Sequence, residues 1–155
     1  MPKSRLRPMD IAASAVSVQH VLGSDVAIST TPVDGHSLAL PSAGSWMVEM
    51  ADAFEAGTFS TARDVTWQVN VTNLVSMSLF AVVVRSSASA VPSPAQTANG
   101  ASHVLAGVPS VGRGRANLTG IVVVSAAAVI TTPTFLSAEA GNLKTGSYLR
   151  ARKYA

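Results

Sequence analysis

The chain has no cysteine among its 155 residues. A disulfide framework and thiolate chemistry are both closed to it, and nothing fixes its redox compartment. Charge is scarce too: 12 % of residues are charged and 48 % hydrophobic, about half the usual charged share. A surface built from so much Ala, Ser, Thr, Val and Gly invites edge-to-edge sticking in a solitary molecule. Permanent assembly, which covers such a surface, is the economical reading. Long apolar runs are also missing. The best candidate, Asn117 to Ser137, is broken by Gly120, Pro133 and several threonines, and falls short of the ~20 apolar residues a membrane span needs. Behind Lys3, Arg5 and Arg7 comes no compact apolar stretch, and Asp10 follows early, so no secretion leader is expected. Asn70-Val-Thr72 and Asn117-Leu-Thr119 match the glycosylation pattern and are read as ordinary strand residues.

Catalytic patterns are absent in the same way. His20, His36 and His103 show neither HxH nor HxxxH spacing, so a metal site would need their meeting in the fold. No GxSxG surrounds any serine. Asp52 and Glu55 stand close together, but a glycosidase needs two opposed carboxylates; a solvated strand end is the simpler reading. Gly112-Arg113-Gly114-Arg115 lacks the rest of a phosphate cradle and reads as a flexible basic turn. No enzyme activity, cofactor or metal is expected.

What the chain does have is β-branched residues at strand spacing. Asn117–Ser137 (NLTGIVVVSAAAVITTPTFLS) reads as a central hairpin of two valine- and threonine-rich strands joined near Ala126–Ala128, a composition that suits a pleated surface. Trp46, Val48, Met50 and Phe54 share one face of a strand, as do Trp67, Val69 and Val71 of another. Met77–Arg85 is apolar on both faces and reads as buried on two sides. Short strands are expected at Val26–Thr30, His36–Leu40 and Gly146–Lys153, with an edge strand at His103–Val108. Turns are expected at Pro32–Gly35 and Pro41–Gly44. Ser86–Asn99, low in complexity and uncharged, reads as a long surface loop. Some eight to ten strands with turn signals every eight to twelve residues indicate an all-β, antiparallel two-sheet jelly-roll sandwich over residues 26–155. The candidate subunit interface is Val122, Val124, Tyr148 and Arg150, the last two being types enriched at binding hot spots.

Residues 1–25 differ. They form a basic arm, extended or partly helical: Ile11, Ala15, Val18 and Leu22 fit one helical face, while Val16, Val18 and Val21 equally begin a strand. The charge is uneven. Lys3, Arg5 and Arg7 crowd the start, and Lys144, Arg150, Arg152 and Lys153 the end, while the remaining four cations face all eight acids. Basic ends without interleaved aromatics or a nucleic-acid motif read either as docking onto an acidic protein surface or as solvated termini, with nucleic acid the less favoured partner. Lys3, Arg5 and Arg7 are the candidate partner-docking residues.

The order of LPSAGSWMVEM (Leu40–Met50), the Trp strand Val65–Val71, a Ser/Pro/Ala loop, NLTGIVVVS and GSYLRARK (Gly146–Lys153) resembles the trimeric jelly-roll domains of the tumour-necrosis-factor and complement-collagen type, as found in virion proteins of tailed bacteriophages. In such domains a Leu-Pro-x-x-Gly-x-aromatic opening is often paired with a Gly-Ser-aromatic-Leu-Arg-Ala ending. The resemblance spans roughly residues 33–153. It implies two packed antiparallel sheets, a homotrimer joined through its inner sheets, and no catalytic residues or cofactor. It also implies a place in the virion, on the capsid exterior or the tail. The expected partners are the chain itself and a major capsid protein or other virion protein, with no membrane. The expected role is a non-enzymatic capsid decoration or cement protein. A minor tail or fibre-tip protein binding a host receptor or carbohydrate through Ser86–Asn99 and Val111–Arg115 is the alternative.

Overall fold

The computed structural model describes residues 16–56, 63–85, 88–92, 96–108, 112–136 and 140–154. Among them lie thirteen strands and no helix: β1 (Ser17–Val21), β2 (Val26–Ile28), β3 (Val33–Leu40), β4 (Gly44–Ala56), β5 (Arg63–Gln68), β6 (Asn70–Val71), β7 (Leu74–Arg85), β8 (Ala88–Pro92), β9 (Ser102–Val108), β10 (Gly112–Val124), β11 (Ala128–Leu136), β12 (Gly141–Leu143) and β13 (Tyr148–Lys153).

One sheet runs β1-β13-β4-β10-β7-β8, with β12 joining β2 to β4; the other runs β3-β11-β5-β9, with β6 on β11. Each pairing is antiparallel. Taken from the chain ends inward, β1 pairs with β13 in the first sheet and β3 with β11 in the second. Then β4 pairs with β10 in the first and β5 with β9 in the second. Nested pairs that alternate between two sheets are a jelly roll: one long hairpin folded over on itself. The β7–β8 hairpin widens the first sheet beyond β10.

The expected strands mostly stand, with β9 at a sheet edge as expected. Several local readings are corrected. Ser17–Val21, expected within the arm, belongs to the sandwich, because its β-branched residues and alternating burial suit pairing with β13. Pro32–Gly35 is not a turn: β3 already begins at Val33, and a register shift in β11 between Thr131 and Pro133 accommodates it. Gly112–Arg115 lies inside β10 rather than in a turn. Part of the expected Ser86–Asn99 loop forms β8, and Gln96 bridges to Leu79. β10 and β11 are not a hairpin either, since Ser125–Ala127 carries the chain from one sheet to the other. A hairpin and a sheet-crossing corner present the same apolar–turn–apolar pattern in sequence, so periodicity alone does not separate them.

The core fills the gap between the sheets. Trp46, Val48, Met50 and Phe54 on β4 are buried, with Leu118, Val122 and Val124 on β10 and Leu149 and Ala151 on β13. From the second sheet come Leu38, Leu40, Val65, Trp67, Ile130 and Leu136. The Phe54 and Trp67 rings meet edge to face, 5.7 Å between centroids, a favoured aromatic geometry. Gly120 is obligatory: a Cβ there would run into the Ser78 carbonyl and the Leu79 Cα of the adjoining strand.

Candidate subunit interface

Strict alternation on β4, β10 and β13 sends one set of side chains into the core and the other outward. Val122 and Val124 belong to the inner set, 0 % and 2 % exposed. That corrects their expected place at a subunit interface, because side chains so enclosed have no surface to offer a second molecule. Their neighbour Ile121, one residue out of phase, is 40 % exposed. Tyr148 and Arg150 do point outward: Tyr148 is half-buried and Arg150 exposed. The Arg150 guanidinium lies 5.4 Å from the centre of the Tyr148 ring and pairs with Glu49 at 2.6 Å. Lys3, Arg5 and Arg7 lie outside the described residues.

The registers arrange this outer face in rows. One row reads Ser17, Arg152, Met47, Ile121, Ser78 across β1, β13, β4, β10 and β7; the next reads Gln19, Arg150, Glu49, Thr119, Phe80. Met47 and Ile121 are thus direct cross-strand neighbours, and Phe80 stands diagonally from Ile121. Met47 is 50 % and Phe80 51 % exposed. Met77–Arg85 was expected to be buried on both sides, and at Phe80 it is open on one. Val21, exposed at 47 %, occupies a third row beside Tyr148. The result is an apolar patch in the middle of the sheet, interrupted by the Glu49–Arg150 pair.

Some of this was readable beforehand. Once Trp46, Val48 and Met50 are assigned to the core, Met47 must face the other way. The phase of β10 was not readable, because Ile121, Val122, Val123 and Val124 are all apolar and either face could be the inner one. Beside the patch, Ala51 and Ala53 floor a trough of about 280 Å³ walled by Arg115, Asn117, Tyr148 and the Thr145–Ser147 turn. Arg115 and Asn117 are both exposed. A second, wider cleft is lined by Asn70, Thr72, Asn73 and Asn99. There, however, the Asn99 side chain is spent on both backbone groups of Val71. Thr72 accepts from the Val129 N–H, and Asn73 donates to the Ala127 carbonyl.

Asp52 is not at a solvated strand end. It is 1 % exposed, among the core residues of β4, and it accepts a hydrogen bond from His36 at 2.7 Å. The fold also brings His20 to His36, two histidines far apart in sequence. No group of three or more His, Cys, Asp or Glu suited to a metal occurs among the described residues.

No protein-family model matches the sequence, and comparison with curated proteins gives no match. Among solved structures, the chain is similar to Eiger TNF from S. frugiperda, with a TM-score of 0.47, 6 % identity, and 91 % of this chain and 93 % of that one covered. It is similar to a family two carbohydrate esterase from Cellvibrio japonicus, with a TM-score of 0.34 and 14 % identity over 85 % of this chain and 35 % of that one. It is also similar to the enzymatically active domain of tailspike protein 4 of bacteriophage CBA120, with a TM-score of 0.35 and 12 % identity over 80 % of this chain and 19 % of that one. Overlaps this loose say nothing about activity.

Proposed function

We propose that the protein is a non-enzymatic structural component of a tailed-bacteriophage particle, a homotrimer that decorates or cements the capsid. The observation that carries self-association is the Met47–Ile121–Phe80 patch on the outer face of the larger sheet. Burying such side chains contributes about 25 cal/mol per Å² of apolar area, and a lasting interface needs an area of about 800 Å² per partner. Broad, weakly charged sheet is the kind of surface that supplies it. The virion setting rests on the sequence motifs at Leu40–Met50 and Gly146–Lys153. In this reading Tyr148 and Arg150 rim the contact, and Lys3, Arg5 and Arg7 dock on the major capsid lattice.

Sedimentation at micromolar concentration tests the assembly: three chain masses are expected, and a stable monomer overturns it. Co-sedimentation with empty capsid shells, lost when Lys3, Arg5 and Arg7 are replaced together by Ser, tests the docking. A second reading, a tail or fibre tip that binds carbohydrate, is favoured by the trough between Tyr148 and Arg115. There an aromatic face and a guanidinium flank a small-residue floor. The two readings part on Arg115→Ala: lost host adsorption with intact particles supports the second and argues against the first.

A further inference from the structure

Asp52, His36 and His20 form a chain of side chains running from the middle of the sandwich to its edge. Asp52 on β4 and His36 on β3 are both buried. The His36 Nε2–H crosses the gap between the sheets to donate to Asp52 Oδ1 at 2.7 Å. The His36 backbone N–H donates to Thr132 Oγ1 on β11 at 2.9 Å, which holds the residue in place. With Nε2 committed, the other ring nitrogen of His36 turns toward β1, where its Nδ1 lies 3.0 Å from Nδ1 of His20. The rings meet edge on, centroids 5.2 Å apart. Two Nδ1 atoms at that distance hold one hydrogen, with one donating and the other accepting. Where His36 Nδ1–H donates and His20 Nδ1 accepts, a proton added at His20 Nδ1 sets two N–H groups head to head.

We propose that this chain is a proton-operated latch for strand β1, closed while His36 Nδ1–H donates to His20 Nδ1 and opened when that His20 nitrogen takes a proton. β1 is an edge strand of five residues, and β13 is its neighbour in the sheet. Few charges compete at the latch. From β4 it is faced by the Asp52 carboxylate, from β11 by the uncharged Thr132, and from β13 by Leu149, the register partner of His20. On β13, Arg150 and Arg152 share the opposite face with Gln19 and Ser17, and Lys153 donates to Ser42. On β3, Asp34 is exposed.

Burial first, and the neighbouring His36 second, hold the His20 imidazole below its ordinary value of 6.5. A base depressed in the folded state gives its full contribution above 6.5, and that contribution is lost as pH falls through the lower folded value. The latch is therefore closed at neutral pH and opens on acidification. Opening bares the N–H and C=O groups of β13, an edge onto which another strand can pair. The inference rests on the geometry of one chain and is independent of the assembly proposed above.

Amide hydrogen exchange on the full chain, read at about pH 7.5 and about pH 5 and corrected for intrinsic rates, tests it alongside NMR titration of the histidine rings. Protection of the β1 and β13 amides is expected to fall about ten-fold or more at the lower pH, while the β10 amides hold. The midpoint is expected to coincide with the titration of His20, below 6.5. In His20→Gln, which takes up no proton, the pH dependence is expected to vanish. Unchanged protection in the wild type, or the same loss in His20→Gln, overturns the proposal. If that variant does not fold, the wild type still decides: His20 titrating at 6.5 or above, or out of step with β1 opening, overturns it equally.

Discussion

The ring of Phe54 fills the space where residue 114 would carry a side chain: a Cβ on the cross-strand neighbour Gly114 would fall among the ring atoms. Phe54 in turn packs edge-on against Trp67, so the ring has little room to retreat. Gly114→Ala is therefore expected to destabilise the fold by about 1–3 kcal/mol through overpacking. The check is urea unfolding, with a lower midpoint and an unchanged slope. A variant as stable as the parent would mean that Phe54 yields freely.

Met47→Lys and Ile121→Glu probe the outer patch separately. Both side chains are exposed in the single chain, so each substitution is expected to alter intrinsic stability by no more than about 0.5 kcal/mol. Each is nevertheless expected to return the proposed homotrimer to single chains in sedimentation. Val129→Lys, also exposed but on the second sheet, is the control and should leave assembly intact.

His36→Ala removes the partner of a wholly buried carboxylate. Among the described residues Asp52 Oδ2 already has no hydrogen-bond partner, so the variant leaves the whole group unsatisfied inside the core. Breaking a buried pair from one side costs about 3–5 kcal/mol, which thermal unfolding at neutral pH would register as a large drop in Tm. A small drop would show that water enters to solvate Asp52.

Asp25 links stability to acid. Hydrogen bonds from the Lys144 ammonium, and then from the backbone and hydroxyl of Thr145, hold its carboxyl at about 2 against an ordinary 3.8. The contribution of a depressed acid is full above 3.8 and is lost as pH falls through the folded value. Asp25→Asn should thus melt lower than the parent at neutral pH, with the gap closing as pH approaches 2. A gap that persists there would assign the effect to something other than charge.

The sandwich was legible in the sequence wherever burial is one-sided. Trp46, Val48, Met50 and Phe54 alternate against Met47 and Glu49, and the structure keeps that phase. It was not legible where both faces are apolar, as from Ile121 to Val124, since only the partner sheet decides which face turns inward. Asp52 misled for another reason. An acid near a strand end is ordinarily solvated, and the partner that makes burial tolerable, His36, lies on a different strand of a different sheet. The same holds for His20, whose neighbour is set by the nesting of strands and by no local spacing.

That nesting also dictates a timetable for folding. β7 and β8 form the innermost rung, β5 and β9 enclose them, and β1 with β13 form the outermost, where Ser17 meets Arg152. Wider rungs close larger loops, and closure entropy rises with loop length. Topologies dominated by such distant partners reach the native state in about milliseconds to seconds, far slower than helical bundles. Closure entropy thus favours zipping from the centre of the sequence toward its two ends. The last seam to shut is the one that the paired imidazoles guard, and it is also the first from which the molecule would unravel.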